Sequence, residues 1–272
     1  MDNMNRLEVM KDAAKEAGQF MLGAKDQTQS ELKANANDFV TIADIKSQNM
    51  LRKSLLQAFP DAIIISEEDS EAERRLLTAP DFTGFVLDPI DGTYNFKRDM
   101  RESAISIGYV EKGDSVAGVI FDPYRNELYE AETGGGAKCN GEPIHVSRQT
   151  ELAGSSVATS NGYDFAAAER NLQREIAIYE QTGIMPWMSC PGSAVLTLAW
   201  VACGRVDAIH HTGFKPFDNA AALVINREAG AKVTTLSGDN ATFIDSRLLV
   251  GTPAIVDQLQ EIFNKLPPAL LI

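Results

Sequence analysis

Two apolar runs in this chain end in carboxylates. Ile63-Ile64-Ile65 leads into Glu67-Glu68-Asp69, and Phe85-Val86-Leu87 leads into Asp88 and Asp91. Acids at strand ends converge in a crevice, where they repel one another unless a cation neutralises them. No His or Cys stands near either cluster, and oxygen-only donors select a hard ion, Mg²⁺ or Mn²⁺, over zinc. Taken alone, Glu67-Glu68-Asp69 also has the composition of a solvated turn, and Asp91-Gly92 that of a tight one. The pairing of two such clusters is what favours metal chemistry.

The second cluster offers more than carboxylates. Pro89 stiffens the backbone between two acids, Gly92 permits close approach, and Gly92-Thr93-Tyr94-Asn95-Phe96 reads as the first turn of a short helix. N–H groups at such a turn suit a phosphate. The Thr93 hydroxyl suits a metal or an attacking water. Phosphoryl transfer depends on charge neutralisation and in-line positioning more than on covalent catalysis. The chain also has no GxSxG, no Cys/His pair at a recognised spacing and no CxxxxxR.

The elements that must position these residues follow from periodicity. Met4, Leu7, Met10, Ala14, Ala17 and Met21 predict an amphipathic helix over 4–24, and a second helix over 44–59 stops at Pro60. Strands are predicted at 62–65 and 85–87, then an antiparallel meander at 104–110, 115–121 and 127–132. Asn140-Gly141 is a hairpin signal before a strand at 144–146. The second half reads as strands at 155–159, 206–210 and 231–236, with helices at 166–179, 193–202, 219–228 and 255–265. No repeat or linker interrupts it. The expectation is one α/β body over 1–272, with a meander half to about 150 and a mixed half from about 151.

Composition narrows the partners. The 272 residues are 44% apolar, enough for the core of one large domain. With 25 basic and 38 acidic residues the net charge is −13, and no Lys/Arg run exceeds two. Neither nucleic acid nor a membrane surface is an expected partner. No apolar stretch reaches the roughly 18 residues of a membrane span, and the first residues lack the apolar core of a signal peptide. Cys139, Cys190 and Cys203 fit no CxxC spacing and read as inert packing thiols of a reducing cytoplasm. Asn240-Ala241-Thr242 is then an unused sequon, and Gly134-Gly135-Gly136 lacks the Lys-Ser/Thr of a P-loop.

Asp88-Pro89-Ile90-Asp91-Gly92-Thr93-Tyr94-Asn95-Phe96 resembles the DPIDGTxNF signature of the inositol monophosphatase family. Other landmarks of that family follow in order. Lys33 with Asp38-Phe39-Val40-Thr41-Ile42-Ala43-Asp44 resembles its D-x-V-T-x-x-D segment, and Glu67-Glu68 its glutamate pair. Residues 134–147 resemble its G-x-G-A-x-x-N-G-x-x-I-x-V-S loop, and Gly192-Ser193-Ala194 its G-[ST]-A helix start. Residues 215–221 and 227–230 resemble its second signature, W-D-x-A-A followed by E-A-G.

The resemblance implies the five-layer αβαβα sandwich of the inositol monophosphatase and fructose bisphosphatase superfamily, and a Mg²⁺-dependent phosphomonoesterase acting as a homodimer. One ion is expected on Glu67, Asp88 and the Ile90 carbonyl, a second on Asp88, Asp91 and Asp218, and a third, weaker one near Glu67. Asp44, Glu67 and Thr93 are the expected water-activating residues. Gly92 and Thr93 would hold the phosphate beside Asp91 and Asp218. Gly192, Ser193, Ala194 and His211 would face the alcohol.

Departures from the pattern bear on substrate. Phe217 replaces the usual tryptophan, Tyr94 a smaller residue, and Met188-Ser189-Cys190-Pro191 lacks a common arginine. His211 stands where inositol-specific members carry a glutamate. Such a histidine is expected to become cationic near its reference pKa of about 6.5 and to favour more anionic substrates. Fructose bisphosphatase and histidinol-phosphate phosphatase are therefore rival activities. A nucleotide 3′-phosphatase is disfavoured by Ile90 and the lack of a basic cluster. A regulatory binding protein on the same fold is the reading from another class.

Overall fold

The computed structural model describes residues 5–24, 30–32, 39–159, 165–183 and 186–271. Lys33 and Asp38 lie outside them. The chain opens with α1 (Arg6–Gly23), a ribbon of β1 (Ser30–Leu32) and β2 (Phe39–Thr41), and α2 (Ile42–Ala58). The helical stripe of α1 is buried at Met10, Ala14, Ala17 and Met21, and that of α2 at Leu51 and Leu55. Both stripes lie on one face of a seven-stranded sheet.

That sheet contains β3 (Ile64–Ser66), β4 (Gly84–Asp91), β5 (Ala104–Glu111), β6 (Asp114–Asp122), β7 (Glu127–Glu132), β8 (Ala137–Cys139) and β9 (Glu142–Pro143), side by side in chain order. The short helices α3 (Glu71–Arg74) and α4 (Thr93–Lys97) flank β4 in sequence. Alternation divides the side chains. Ile105, Ile107, Val119 and Phe121 face α1 and α2, whereas Ala104 and Ile120 face the opposite side.

The opposite side receives α6 (Ala194–Ala202) and α7 (Pro216–Glu228). Beyond them stands a five-stranded sheet in the order β11 (Trp187–Ser189), β10 (Ser156–Ala158), β12 (Ala208–Thr212), β14 (Arg247–Gly251), β13 (Lys232–Thr235). Its Ile209, Leu248 and Val250 face α6 and α7, and its Ala208 and Leu249 face α5 (Phe165–Thr182) and α8 (Pro253–Phe263). The layers run helix, sheet, helix, sheet, helix: the five-layer sandwich. No described helix is long and apolar enough to cross a membrane.

Two glycines let α7 approach the first sheet. A Cβ on Gly118 would lie 2.4 Å from the Ala221 carbonyl oxygen, and one on Gly108 would lie 2.5 Å from the Ala220 Cβ. Backbone cannot swing aside as a side chain can. Gly118→Ala is therefore expected to lower stability by about 1–3 kcal/mol, read as a lower urea midpoint at unchanged slope. An unchanged midpoint would show that the layers are less tightly pressed than these distances indicate.

The structure differs from the periodicity in several places. Residues 144–146 form no strand, and the strand expected at 206–210 runs two residues later, over Ala208–Thr212. β11 and β14 were not anticipated. β14 lies between β12 and β13 with both faces covered, so Leu248-Leu249-Val250 shows no polar alternation to mark it.

Candidate active site

In a regular strand Asp88 and Asp91 would face opposite sides of the sheet, being three residues apart. β4 is not regular there. Asp88 pairs with Ser106 and Asp91 with Ala104, so the register shifts between them. The irregularity brings both acids to one side, where Asp218 joins them: the three carboxylates offer oxygens within 4.8 Å of one another. The turn is fixed from two directions. The Ile90 N–H donates to Asp88 Oδ1 at 3.1 Å, and Ser47 Oγ on α2 donates to the Pro89 carbonyl at 2.8 Å.

Asp218 owes its place to the start of α7. The helix begins at Pro216, earlier than expected, with Pro at a position where no N–H is missed. Asp218 thereby falls in the first turn and accepts the Lys215 N–H at 2.6 Å. Asp91 is held by the start of α6. Its Oδ2 accepts from the Ser193 hydroxyl and from the Val195 N–H at 3.0 Å.

All three acids are buried. Desolvation pushes each upward, and neighbouring charge adds to it: Glu67 for Asp88 and Asp91, Asp91 for Asp218. Asp91 rises to about 6, although the hydrogen bond from Ser193 pulls it down. Asp218 rises to about 8, against the pull of Lys215. Asp88 is pushed well above the ordinary carboxylate range.

Two more acids complete the cluster. Ser66 pairs with Leu87 in the parallel β3–β4 ladder, so Glu67 emerges beside Asp88, and its N–H donates to the Leu87 carbonyl at 3.1 Å. Glu67 Oε1 lies 2.8 Å from Lys215 Nζ. Asp44 closes the capping box of α2, accepting the Thr41 N–H at 2.8 Å and the Thr41 hydroxyl. Its other oxygen lies 3.2 Å from Thr93 Oγ1, which is also 3.1 Å from the Ile90 carbonyl. One hydroxyl proton is thus shared between two acceptors.

Gly92 begins α4 with φ 79°, and no side chain caps that turn. A Cβ there would lie 2.8 Å from the Glu102 carbonyl and 3.2 Å from Ser193 Cβ, so only glycine fits. Asn95 ties the α4 turn to the segment before α6, donating to the Glu102 and Pro191 carbonyls, each at 2.8 Å.

Residues 2–266 match the sequence profile of the Inositol monophosphatase family. The chain belongs to the inositol monophosphatase family. A curated relative, Nus factor SuhB of Pasteurella multocida, is 34% identical, the match covering 95% of this chain and 94% of the relative. The fructose-1,6-bisphosphatase/inositol-1-monophosphatase of Thermotoga maritima is 32% identical, covering 96% and 97%. A crystal structure of the extragenic suppressor protein SuhB from Bartonella henselae has a TM-score of 0.84 at 30% identity, covering 95% and 98%.

Within this member of the inositol monophosphatase family, not every anticipated residue reaches the cluster. Asp44, Glu67, Asp88, Ile90, Asp91, Gly92, Thr93, Ser193 and Asp218 join one connected network. Ser193 donates its hydroxyl to Asp91 and caps α6, with Gly192 and Ala194 on either side of it. The His211 side chain makes no hydrogen bond among the described residues. It is 5% exposed, with its ring edge-on to Phe214 at 4.8 Å.

The charge expected of His211 is corrected. Burial, with Arg174 nearby, lowers its pKa to about 4, so the ring is neutral near pH 6. The ratio of kcat/KM for a bisphosphate over a monophosphate is accordingly expected to show no His211-dependent change between pH 6 and pH 8. A ratio that moves in the wild type and stays flat in His211→Gln would contradict this.

Phe217 is buried among Phe82, Val86 and Phe243. Tyr94 is half-exposed. Cys139 and Cys203 pack against the central core, but Cys190 is exposed and is not a packing thiol. Lys215, Ser47 and Asn95 were not singled out from the sequence. The available signals were the place of Asn95 inside the nine-residue signature and the position of Lys215, three residues before Asp218 at the helix start.

Proposed function

We propose that this chain is a metal-dependent phosphomonoesterase hydrolysing inositol monophosphate or a related small sugar or alcohol phosphate. The observation that carries this is the meeting of Asp88, Asp91 and Asp218, buried and within 4.8 Å, beside a Thr93 hydroxyl held on Asp44. Buried oxygen donors whose mutual repulsion resists ionisation suit a hard divalent ion, Mg²⁺ or Mn²⁺, in two or three copies. Glu67, Asp88 and the Ile90 carbonyl would hold one, and Asp88, Asp91 and Asp218 another. When bound, such ions neutralise phosphoryl charge and lower the pKa of the attacking water.

The chain's own residues do the rest. Thr93 directs its hydroxyl proton toward Asp44 Oδ1, so that Thr93 Oγ1 can accept a hydrogen bond from the attacking water and relay its proton to Asp44 as the water attacks. Glu67, beside Asp88, is a second acceptor for that water. The Gly92 and Thr93 amides, at a turn that no side chain caps, are suited to the phosphate oxygens. Thr93→Ala is expected to lose most of kcat with a smaller change in KM, because orienting water matters more in the transition state. A raised KM at unchanged kcat would make Thr93 a binding residue only.

The test is phosphate release from inositol, fructose, histidinol and nucleotide phosphates, with and without Mg²⁺ or Mn²⁺. Turnover that survives chelation, or no turnover on any of them, would overturn the assignment. The name of the Thermotoga maritima relative keeps a fructose bisphosphatase activity in the panel. A second reading comes from the relative named Nus factor SuhB. A regulatory protein of that kind would bind a protein partner without turnover. We further propose a homodimer, readable by sedimentation equilibrium, and a cytoplasmic location, which the three free thiols support.

A further inference from the structure

We propose that Lys215 is a built-in counter-cation of the acidic cluster and competes with the incoming divalent ion for Glu67. The inference rests on the metal-dependent reading above. Lys215 Nζ lies 2.8 Å from Glu67 Oε1, while the N–H of the same residue donates to Asp218 Oδ2 at 2.6 Å. One residue thus grips two proposed metal ligands that come from opposite halves of the chain. The Lys215 side chain is 34% exposed and that of Glu67 13%, so the pair stands at the rim, where both water and ions arrive.

A carboxylate oxygen engaged with an ammonium group is poorly available to a divalent ion, and an ion bound there repels the ammonium. Binding at Glu67 must therefore displace Lys215. The long lysine stem and its partial exposure give the ammonium somewhere to go. Without metal, Lys215 offsets part of the repulsion among Glu67, Asp88, Asp91 and Asp218. With metal, it weakens the ion held at Glu67.

The test is Mn²⁺ binding to the full-length protein, read by electron paramagnetic resonance and calorimetry without substrate. Lys215→Met keeps most of the stem and removes the charge. The weakest resolved Mn²⁺ site is expected to tighten about tenfold, the scale of one unit charge a few ångströms away in a partly screened site. Lys215→Arg should bind as the wild type does. In a Glu67→Gln background the tightening on Lys215→Met should fall well below tenfold, an outcome that a general structural role for Lys215 would not produce. Should Lys215→Met not fold, Lys215→Gln removes the charge while keeping a donor toward Glu67. Unchanged or weaker Mn²⁺ binding in the charge-removing variants would overturn the inference alone. No Mn²⁺ binding to the wild type would overturn the metal-dependent reading and this inference with it.

Discussion

Asp218→Asn is expected to lower turnover at least about a hundredfold while the metal-free protein melts at the same or a higher temperature. The loss follows from chemistry. Asp218 offers an oxygen within 4.8 Å of Asp88 and Asp91, and replacing a carboxylate ligand with an amide forfeits part of the several kcal/mol that bound ions contribute. The stability follows from electrostatics. Burial and the Asp91 charge already push Asp218 up to about 8, so the fold favours its neutral form. Asparagine supplies a neutral residue of the same shape and can still accept the Lys215 N–H through its amide oxygen. Asp91→Asn should behave alike, its oxygen continuing to accept from Ser193 and Val195. Phosphate release and a melting curve in chelator decide the matter. Near-wild-type turnover in either variant would remove the cluster from the reaction, and a large drop in melting temperature would show that the carboxylates are structural.

Burial and the mutual repulsion of these acids predict that the cluster takes stability from the metal-free protein as pH rises from about 4 to about 8. The folded pKa of Asp218 is about 8 and that of Asp91 about 6, against an ordinary 3.8 for each. Over that interval the folded state binds more protons than the unfolded one. Stability is then fully present below the ordinary value and is lost as pH climbs through the raised ones. The scale for Asp218 is on the order of a few kcal/mol. Glu127, held below its ordinary range chiefly by the hydrogen bond from Arg205, and His210 and His211, both lowered by burial, act in the opposite sense. Comparison with Asp218→Asn isolates the cluster. In chelator, the stability of the variant relative to the wild type should grow between pH 5 and pH 8 in urea titrations. Added Mg²⁺ or Mn²⁺ should stabilise the wild type more at pH 8 than at pH 5, since at pH 5 protons must leave first. A flat difference between the two proteins would mean that water, not burial, sets the ionisation of Asp218.

Much of this was present in the residue order, and the reason is local. Asp88-Pro89-Ile90-Asp91-Gly92-Thr93 places its acids, its stiffening proline and the one glycine that tolerates φ 79° within six residues. Chain connectivity alone keeps them together. The α1 stripe and the β5–β6–β7 meander were legible for the same cause: their partners are sequence neighbours, and their periods report which face is buried. What connectivity does not hold together, the sequence left open. β14 has no polar face because two sheet neighbours and two helical layers cover it. The entry of Asp218 into the cluster depends on where α7 starts and on how closely Gly108 and Gly118 let it approach the first sheet. The charge of His211 reversed expectation because burial and Arg174, on α5, outweigh its intrinsic pKa. Lys215 shows the division within one residue. Its three-residue spacing from Asp218 is written in the chain, but its ion pair with Glu67, 148 residues away, exists only because the five layers bring the ends of β3 and β12 to the same rim.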